Sequence, residues 1–195
     1  MNDFKNKVKE KIKLYSKDEY LDGYIKNEYL TKDGDADIYL NIGTLDDLFD
    51  TRTSGNQLEL NSDVYSFIES KSSMLSNDTI LNLHISGSNL NPKEQGMVKH
   101  IIKEHYAIEL YKVQKEFTKY RNKIIGLLII GIFAIVCYFA IYFTKDFNLL
   151  LEVFAFIFSF ALWEAGDCII YTLSDIKLER EAITENLLMN VEFDD

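Results

Sequence analysis

The hydrophobic pattern divides the chain into a mixed N-terminal part and two long apolar stretches in its C-terminal half. Residues 124–143 form the first stretch and contain no charged side chain. The second stretch, residues 149–170, carries three ionisable side chains, Glu152 near its start and Glu164 and Asp167 near its C-terminal end. A helix of 20 residues is about 30 Å long, which is the hydrocarbon thickness of a bilayer. The pattern therefore predicts two transmembrane helices joined by an external loop, residues 144–148.

Basic side chains flank the two predicted spans mainly on one side. The connecting loop holds a single one, Lys145. Cytoplasmic flanks of membrane helices are enriched in lysine and arginine, so the pattern predicts a multi-pass protein of the cell membrane with both termini in the cytoplasm. The alternative is a soluble helical hairpin buried in a core, which seldom has apolar residues all around both helices. The flanking basic residues are Lys112, Lys115, Lys119, Arg121, Lys123, Lys177 and Arg180.

Residues 31–110 have the pattern of a small α/β domain. Apolar and polar side chains alternate over residues 38–42 and again over residues 81–85, which predicts two strands with one buried face each. A helix is predicted between them, from about residue 62 to residue 75. Asn91–Glu94 combines an N-cap residue, a proline at the first helical position and a glutamate three residues after the cap, and so predicts the start of a second helix.

This second helix has no predicted end within the cytoplasmic part of the chain. No proline follows Pro92, so the helix is expected to continue through residues 111–123 as a stalk and into the first span. The order of elements is strand, helix, strand, helix, and a crossover between two parallel strands would be right-handed.

Apolar residues recur at spacings of four and three on both sides of the predicted membrane hairpin. One series covers residues 106–124 and the other residues 169–187, where Arg180 interrupts it. The two series predict that residues 171–195 form a cytoplasmic helix and tail that pack back along the stalk, although pairing between two copies of the chain would use the same pattern. The predicted fold is a small cytoplasmic βαβα domain joined to a transmembrane helical hairpin, with this C-terminal helix completing the stalk.

The first 30 residues are harder to assign. In residues 1–17 lysines surround a thin apolar stripe, which is typical either of a basic helix on an anionic membrane surface or of a solvated terminus. For residues 17–30 a capping box at Ser16–Glu19 favours a helix. A hairpin turn at Asp33–Gly34 would instead favour strands.

Charge and cysteine content add two constraints. The chain carries 31 acidic and 21 basic residues, for a net charge of −10, which argues against nucleic acid as a partner. Residues 31–90 contain 10 acidic and 3 basic side chains, so much of the negative charge lies on the predicted α/β domain, where solubility alone could account for it. The two cysteines, Cys137 and Cys168, lie in the predicted spans and cannot form a disulfide framework.

Charged residues near the cytoplasmic end of the second span are the candidate functional residues, because ionisable groups in a membrane are costly. Glu164 and Asp167 are three residues apart, and counting outward from the loop places them opposite Lys123 and Arg121. These four residues predict either an intramembrane charge site for cations or protons, or an ion-pair lock that closes the hairpin. Trp163 is expected to be an interfacial anchor.

Patterns for catalysis and metal binding were not found. His84, His100 and His105 lack the spacing of metal ligands. Asp33–Asp37 begins like a calcium loop, but the glycine and the glutamate that such a loop requires are replaced. We therefore expect a protein that is not an enzyme and has no cofactor or bound metal.

These patterns predict a two-span integral membrane protein that presents its cytoplasmic α/β domain as an interaction or sensor module. Its expected partners are the lipid bilayer and either a cytoplasmic protein or further copies of itself, with no nucleic acid. The alternative is a homo-oligomeric channel or membrane-disrupting effector gated by the cytoplasmic domain. Small residues that allow close helix approach, Gly126, Gly131 and Ala134, favour that alternative.

Overall fold

The computed structural model describes residues 23, 25, 28–32, 34–43, 45–55, 58–75, 79–87, 90–144 and 148–194. The predictions for residues 1–17, for most of residues 17–30 and for the centre of the loop 144–148 lie outside these residues. Of the segment before the sheet, Gly23, Ile25 and Glu28 are helical, and Leu30 forms an isolated bridge with Ala36.

The protein is mostly helical, with one small parallel sheet. In chain order the elements are β1 (Ala36–Asn41), α1 (Leu45–Leu48), α2 (Ser62–Ser72), β2 (Leu81–Ser86), α3 (Pro92–Thr144), α4 (Asn148–Asp167), a π-helical turn (Cys168–Thr172), α5 (Leu173–Leu188) and β3 (Asn190–Phe193).

The sheet has the strand order β1-β2-β3, and both pairs are parallel. Ile38 pairs with Leu83, and Leu83 pairs with Val191. The first two strands are those that the alternation predicts. The third strand is a difference from the sequence analysis, which treated residues 171–195 as a helix and a tail. Only four residues long, β3 is too short to show a clear period of two, and its partner strand is remote in sequence.

One face of the sheet is buried and the other is polar. The buried face and the helices form a core whose members are nearly inaccessible to solvent. On the opposite face Tyr39 is 63% exposed, and its neighbours across the sheet are hydrophilic. Parallel sheets are usually covered on both faces, so a polar open face is an unusual feature of this fold. The core includes Ala36, Ile38, Ile68, Leu83, Ile85, Val98, Ile102 and Tyr106.

Gly87 allows β2 to end beside β1. Its φ is 89°, a conformation that residues with a Cβ rarely adopt. A Cβ at this position would lie 2.6 Å from the carbonyl oxygen of Ile42, which is closer than any such contact in folded proteins. The backbone can therefore leave the sheet at this point only because the side chain is absent.

Helix α3 begins at the predicted capping box. The Asn91 side chain accepts hydrogen bonds from the backbone N–H groups of Lys93 and Glu94, each at 3.0 Å, and the Glu94 carboxylate accepts one from the Asn91 N–H at 2.9 Å. The helix then continues without interruption for 53 residues to Thr144. The predicted continuity from the α/β domain into the first apolar stretch is therefore present in the structure.

The chain divides into two compact units. One contains the described residues up to Ala107 together with those from Thr184 onward, and so includes the whole sheet. The other comprises residues 108–183 and contains both apolar stretches. Two helical stretches, Pro92–Phe143 and Leu149–Leu188, are long and apolar enough to cross a membrane.

Candidate functional site

The charged residues predicted to act together are only partly joined. Lys123 Nζ donates a hydrogen bond to Glu164 Oε1 at 2.7 Å and forms an ion pair with it. Arg121 and Asp167 are exposed, and neither has an ion pair with any other described residue. The four residues therefore do not form one cluster within a single chain. They provide one salt bridge between α3 and α4, flanked by one exposed cation and one exposed anion.

Trp163 lies next to the paired glutamate and is 77% exposed. An exposed indole with an apolar body and an N–H group suits a boundary between hydrocarbon and water.

Small residues bring α3 and α4 close together on the loop side of this ion pair. A Cβ added to Gly131 would lie 3.6 Å from the Ala161 Cβ, and Ala134 and Ala161 are almost completely buried. Gly126 differs from Gly131, because no atom lies within 4 Å of its added Cβ. Of the two glycines singled out in the first span, only Gly131 is therefore in the helix contact.

A π-helical turn follows directly after Asp167. It begins at Cys168, which is buried in a small cluster with Ile124 and Ala165, and Leu173 packs against this cluster. A π turn inserts one residue into the helical repeat and so rotates the following side chains relative to those before it. The ion pair of Lys123 and Glu164 therefore lies immediately beside an irregular turn of the second helix.

Arg180, the charged interruption in the second apolar series, lies over the ring of Phe117. Its guanidinium carbon is 4.9 Å from the ring centroid, and its Nη1 donates to Gln114 Oε1 at 3.4 Å. A planar cation stacked on an aromatic ring occupies an apolar contact position without loss of its charge. Val113 and Ile176 are buried in the same unit.

A second polar group, which the sequence analysis did not predict, lies on the open face of the sheet. His84 is central to it: its Nε2 lies 3.6 Å from Asp37 Oδ1, and its Nδ1 lies 3.4 Å from Asp194 Oδ1 and 3.8 Å from Glu192 Oε2. The Tyr39 ring stacks on the imidazole with centroids 4.9 Å apart. The arrangement places one imidazole among three carboxylates.

Hydrogen bonds between amides and carboxylates order this face. Asn82 Nδ2 donates to Asp37 Oδ1 at 3.0 Å, and Asn190 Nδ2 donates to Asn82 Oδ1 at 2.9 Å. Within the described ranges, no group of three His, Cys, Asp or Glu side chains has an arrangement suited to a metal ion. The face can therefore offer hydrogen-bond acceptors and negative charge on rigid strands.

The alternating positions of β1 and β2 already place Asp37, Tyr39 and His84 on one side of the sheet. The sequence gives His84 no predicted partners, because the acidic residues beside it belong partly to β3, whose four residues lack a clear strand pattern. A short apolar–acidic alternation at the extreme C-terminus, from Asn190 to Asp194, was the only available signal.

Buried aromatic side chains in the α/β unit are held in their neutral form. Burial raises the pKa of Tyr65 to about 12, and burial likewise raises the pKa of Tyr106 well above its usual value. The His105 ring stacks on Tyr65 with a centroid distance of 3.6 Å. At neutral pH these phenols are packing groups and not acids.

No protein-family model matches this chain, and no curated protein or solved structure matches it.

Proposed function

We propose that the protein is a two-span integral membrane protein whose α/β unit serves as an interaction module on the cytoplasmic side of the cell membrane. The observation that carries this proposal is the exposure of large apolar side chains on α3 and α4. Phe133 is 65% exposed and Phe156 is 71% exposed, and both belong to helices with few charges over membrane-spanning length. In water such surfaces would be strongly unfavourable, whereas hydrocarbon chains would cover them.

The membrane orientation that we propose follows from the distribution of basic residues. Basic residues are concentrated on the part of α3 that precedes residues 124–143, and such residues remain on the cytoplasmic side of membrane helices. This orientation places the sheet and its acidic residues in the cytoplasm. The short loop at residues 144–148 would lie on the other side of the membrane.

The ion pair supports a structural role for the charged residues of the hairpin. Glu164 is already engaged by Lys123 within one chain, at a distance typical of a charge-assisted hydrogen bond. A channel would require Glu164 and Asp167 of several copies to surround one axis, with the glutamate available to the permeating ion. The pairing therefore favours an anchor with an ion-pair lock over the channel.

The α/β unit supports binding more than catalysis. One surface of its sheet carries carboxylates, amides and one imidazole that are joined by hydrogen bonds and close contacts, an arrangement that presents acceptors and negative charge to a partner. The helix that begins in this unit continues without interruption into the first predicted span.

Membrane insertion and orientation can be tested together in cells that express the full chain. We expect the protein to remain in membranes after extraction at alkaline carbonate. In a variant with both native cysteines replaced by alanine, the substitution Lys145→Cys should give a thiol that reacts with a membrane-impermeant maleimide in intact cells. The matched cysteine at the exposed Ser70 of α2 should react only after permeabilisation. Release by carbonate, or labelling of the Ser70 variant in intact cells, would contradict the proposal.

A further inference from the structure

We infer that the open edge of β1 is a docking site for an extended peptide segment of a partner protein, which adds to the sheet as a fourth strand. This inference rests on the proposed function, because it names the kind of partner that the interaction module binds. It depends on the backbone of β1, on a pocket beside that edge and on the charge of the α/β unit.

The backbone groups of β1 alternate between its two edges. Ala36 N–H donates to the Ile80 carbonyl at 2.8 Å, and Ile42 N–H donates to the Ser86 carbonyl at 2.9 Å, so the even-numbered residues face β2. The odd-numbered residues therefore direct their N–H and C=O groups to the outer edge. Asp37 confirms the alternation, since its N–H donates to the Tyr29 carbonyl at 2.9 Å.

Among the described residues, Tyr29 and Leu30 pair with the beginning of this edge. Leu30 forms an isolated bridge with Ala36, and Tyr29 pairs with Asp37. At the next outward positions, Tyr39 and Asn41, no backbone group of the described residues forms a hydrogen bond with the edge. Both residues are exposed. An extended segment could therefore continue the pairing that Tyr29 begins.

The sequence of β1 lacks three common protections of a strand edge. Proteins commonly prevent pairing at exposed edges with lysine, proline or a bulge. Residues 36–41, ADIYLN, contain neither lysine nor proline, and the register with β2 is regular over all six residues. Strand addition uses such an edge, with main-chain hydrogen bonds for affinity and pockets for alternate side chains.

A pocket of about 300 Å³ lies beside this edge, against α2. Lys71 Nζ donates to Tyr29 Oη at 3.0 Å and lies 5.8 Å from the centroid of the Phe67 ring. Rings and a nearby ammonium favour an aromatic side chain in the pocket. The residues that line it include Glu28, Tyr29, Asp37, Tyr39, Phe67 and Lys71.

Charge completes the description of the partner. Residues 31–90 carry 10 acidic and 3 basic side chains, and Asp37 and Glu28 line the pocket at the docking edge together with one of those basic residues, Lys71. Opposite charges across an interface accelerate association and exclude partners of the wrong sign. The segment that fits is therefore extended, has an aromatic residue for the pocket and carries lysine or arginine on either side of it.

The test uses the full chain in lipid nanodiscs and a 12-residue peptide selected on it from a random peptide library. Asn41→Pro removes the outward N–H of β1, whereas the matched control Asn41→Ala removes the same side chain and keeps the N–H. We expect the proline variant to bind the peptide about tenfold more weakly or worse, and the alanine variant to bind within about threefold of the native chain. Amide exchange at Tyr39 and Asn41 should slow when the peptide is bound.

A second measurement needs no protein variant. Backbone N-methylation at every second residue of the peptide should abolish binding when the methylated amides face β1, and should be tolerated at the alternate positions. Equal sensitivity at both sets of positions, equal losses for Asn41→Pro and Asn41→Ala, or a library without any binder would overturn the inference. A dimer that Asn41→Pro dissociates and Asn41→Ala preserves would assign the edge to a second copy and would also overturn it. Carbonate extraction tests the membrane anchor separately from all these outcomes.

Discussion

Lys123 and Glu164 are 41 positions apart in the chain, and their side chains meet at 2.7 Å between α3 and α4. The lysine is the last residue before the uncharged stretch of α3, and the glutamate lies one turn before the π-helical turn that follows α4. The pair therefore joins the two helices at the same end of both apolar stretches. The side chains of Lys123 and Glu164 are 45% and 33% exposed, so the salt bridge is expected to contribute modestly to stability.

Glu164→Gln should lower stability slightly and leave ion permeability unchanged. An ion pair between exposed side chains contributes little to stability, and the glutamine keeps the shape of the side chain. Thermal unfolding in detergent would measure the loss, and ion flux across liposomes would measure permeability. The coupling energy with Lys123→Gln should be non-zero in a double-mutant cycle.

Asp167→Asn is the matched control for this change, because Asp167 has no ion pair with another described residue. It should leave the melting temperature within experimental error. An altered ion flux in the Glu164→Gln liposomes, with unchanged stability, would instead support the channel.

Gly131→Leu should destabilise the packing of the two apolar helices. The added Cβ would lie 3.6 Å from that of Ala161, so alanine is accommodated, but the larger side chain must displace the second helix or Phe158. Overpacking of this kind typically costs about 1–3 kcal/mol. Thermal unfolding in detergent would measure it. Gly126→Leu provides the comparison, and an equal loss at Gly126 would show that the observed contact does not determine stability.

The long elements of this fold follow from local patterns. Helix α3 has a capping box at Asn91 and then no proline, so its start and its continuity were predictable. Alternation over residues 38–42 and 81–85 likewise predicts β1 and β2, each of which has six residues in the structure. Strand β3 has four residues, and a single residue, Met189, separates it from α5. Its sequence pattern therefore resembles the frayed end of a helix. Only pairing with β2 distinguishes it.

The candidate sites were predictable to the extent that they depend on a single pair of helices. A count of residues outward from the loop places Glu164 and Asp167 at the same depth as Lys123 and Arg121. Depth alone does not determine which of the two carboxylates pairs with Lys123. Residues three apart on a helix differ by about 60° in direction, so only one of the two can point directly at Lys123. The group around His84 forms only when all three strands pair. No local sequence pattern predicts that Asp194 and Asp37 both lie beside His84.

Alkaline pH should unfold the α/β unit through its buried phenols. Burial raises the pKa of Tyr65 to about 12, and the pKa of Tyr106 also rises, whereas an exposed tyrosine ionises near 10. Between these values the unfolded chain loses protons that the folded chain retains, so stability is complete below about pH 10 and falls as pH rises. Circular dichroism against pH would follow the transition.

Tyr106→Phe tests whether ionisation of a buried phenol causes the loss of stability at alkaline pH. The buried Tyr106 hydroxyl has no hydrogen-bond partner among the described residues, so its removal should cost little at neutral pH. The variant should show a shallower loss of stability above pH 10. A pH dependence identical to that of the native chain would exclude Tyr106 as a contributor.

Lys103 should anchor the third strand to the core of the α/β unit. Its ammonium group donates hydrogen bonds to the carbonyls of Leu187 and Met189, at the junction between α5 and β3, and burial lowers its pKa. Lys103→Met keeps the aliphatic stem but leaves two carbonyls at a helix end without this donor, which costs about 1–3 kcal/mol. Amide exchange should accelerate first at Val191 and its neighbours in β3.

Lys99→Met is the control for this change. It removes an ammonium group that lies 5.6 Å from the Phe193 ring centroid and donates to neither carbonyl, so it should accelerate that exchange much less. Equal acceleration in the two variants would show that charge near β3, and not the carbonyl contacts of Lys103, holds the strand in place.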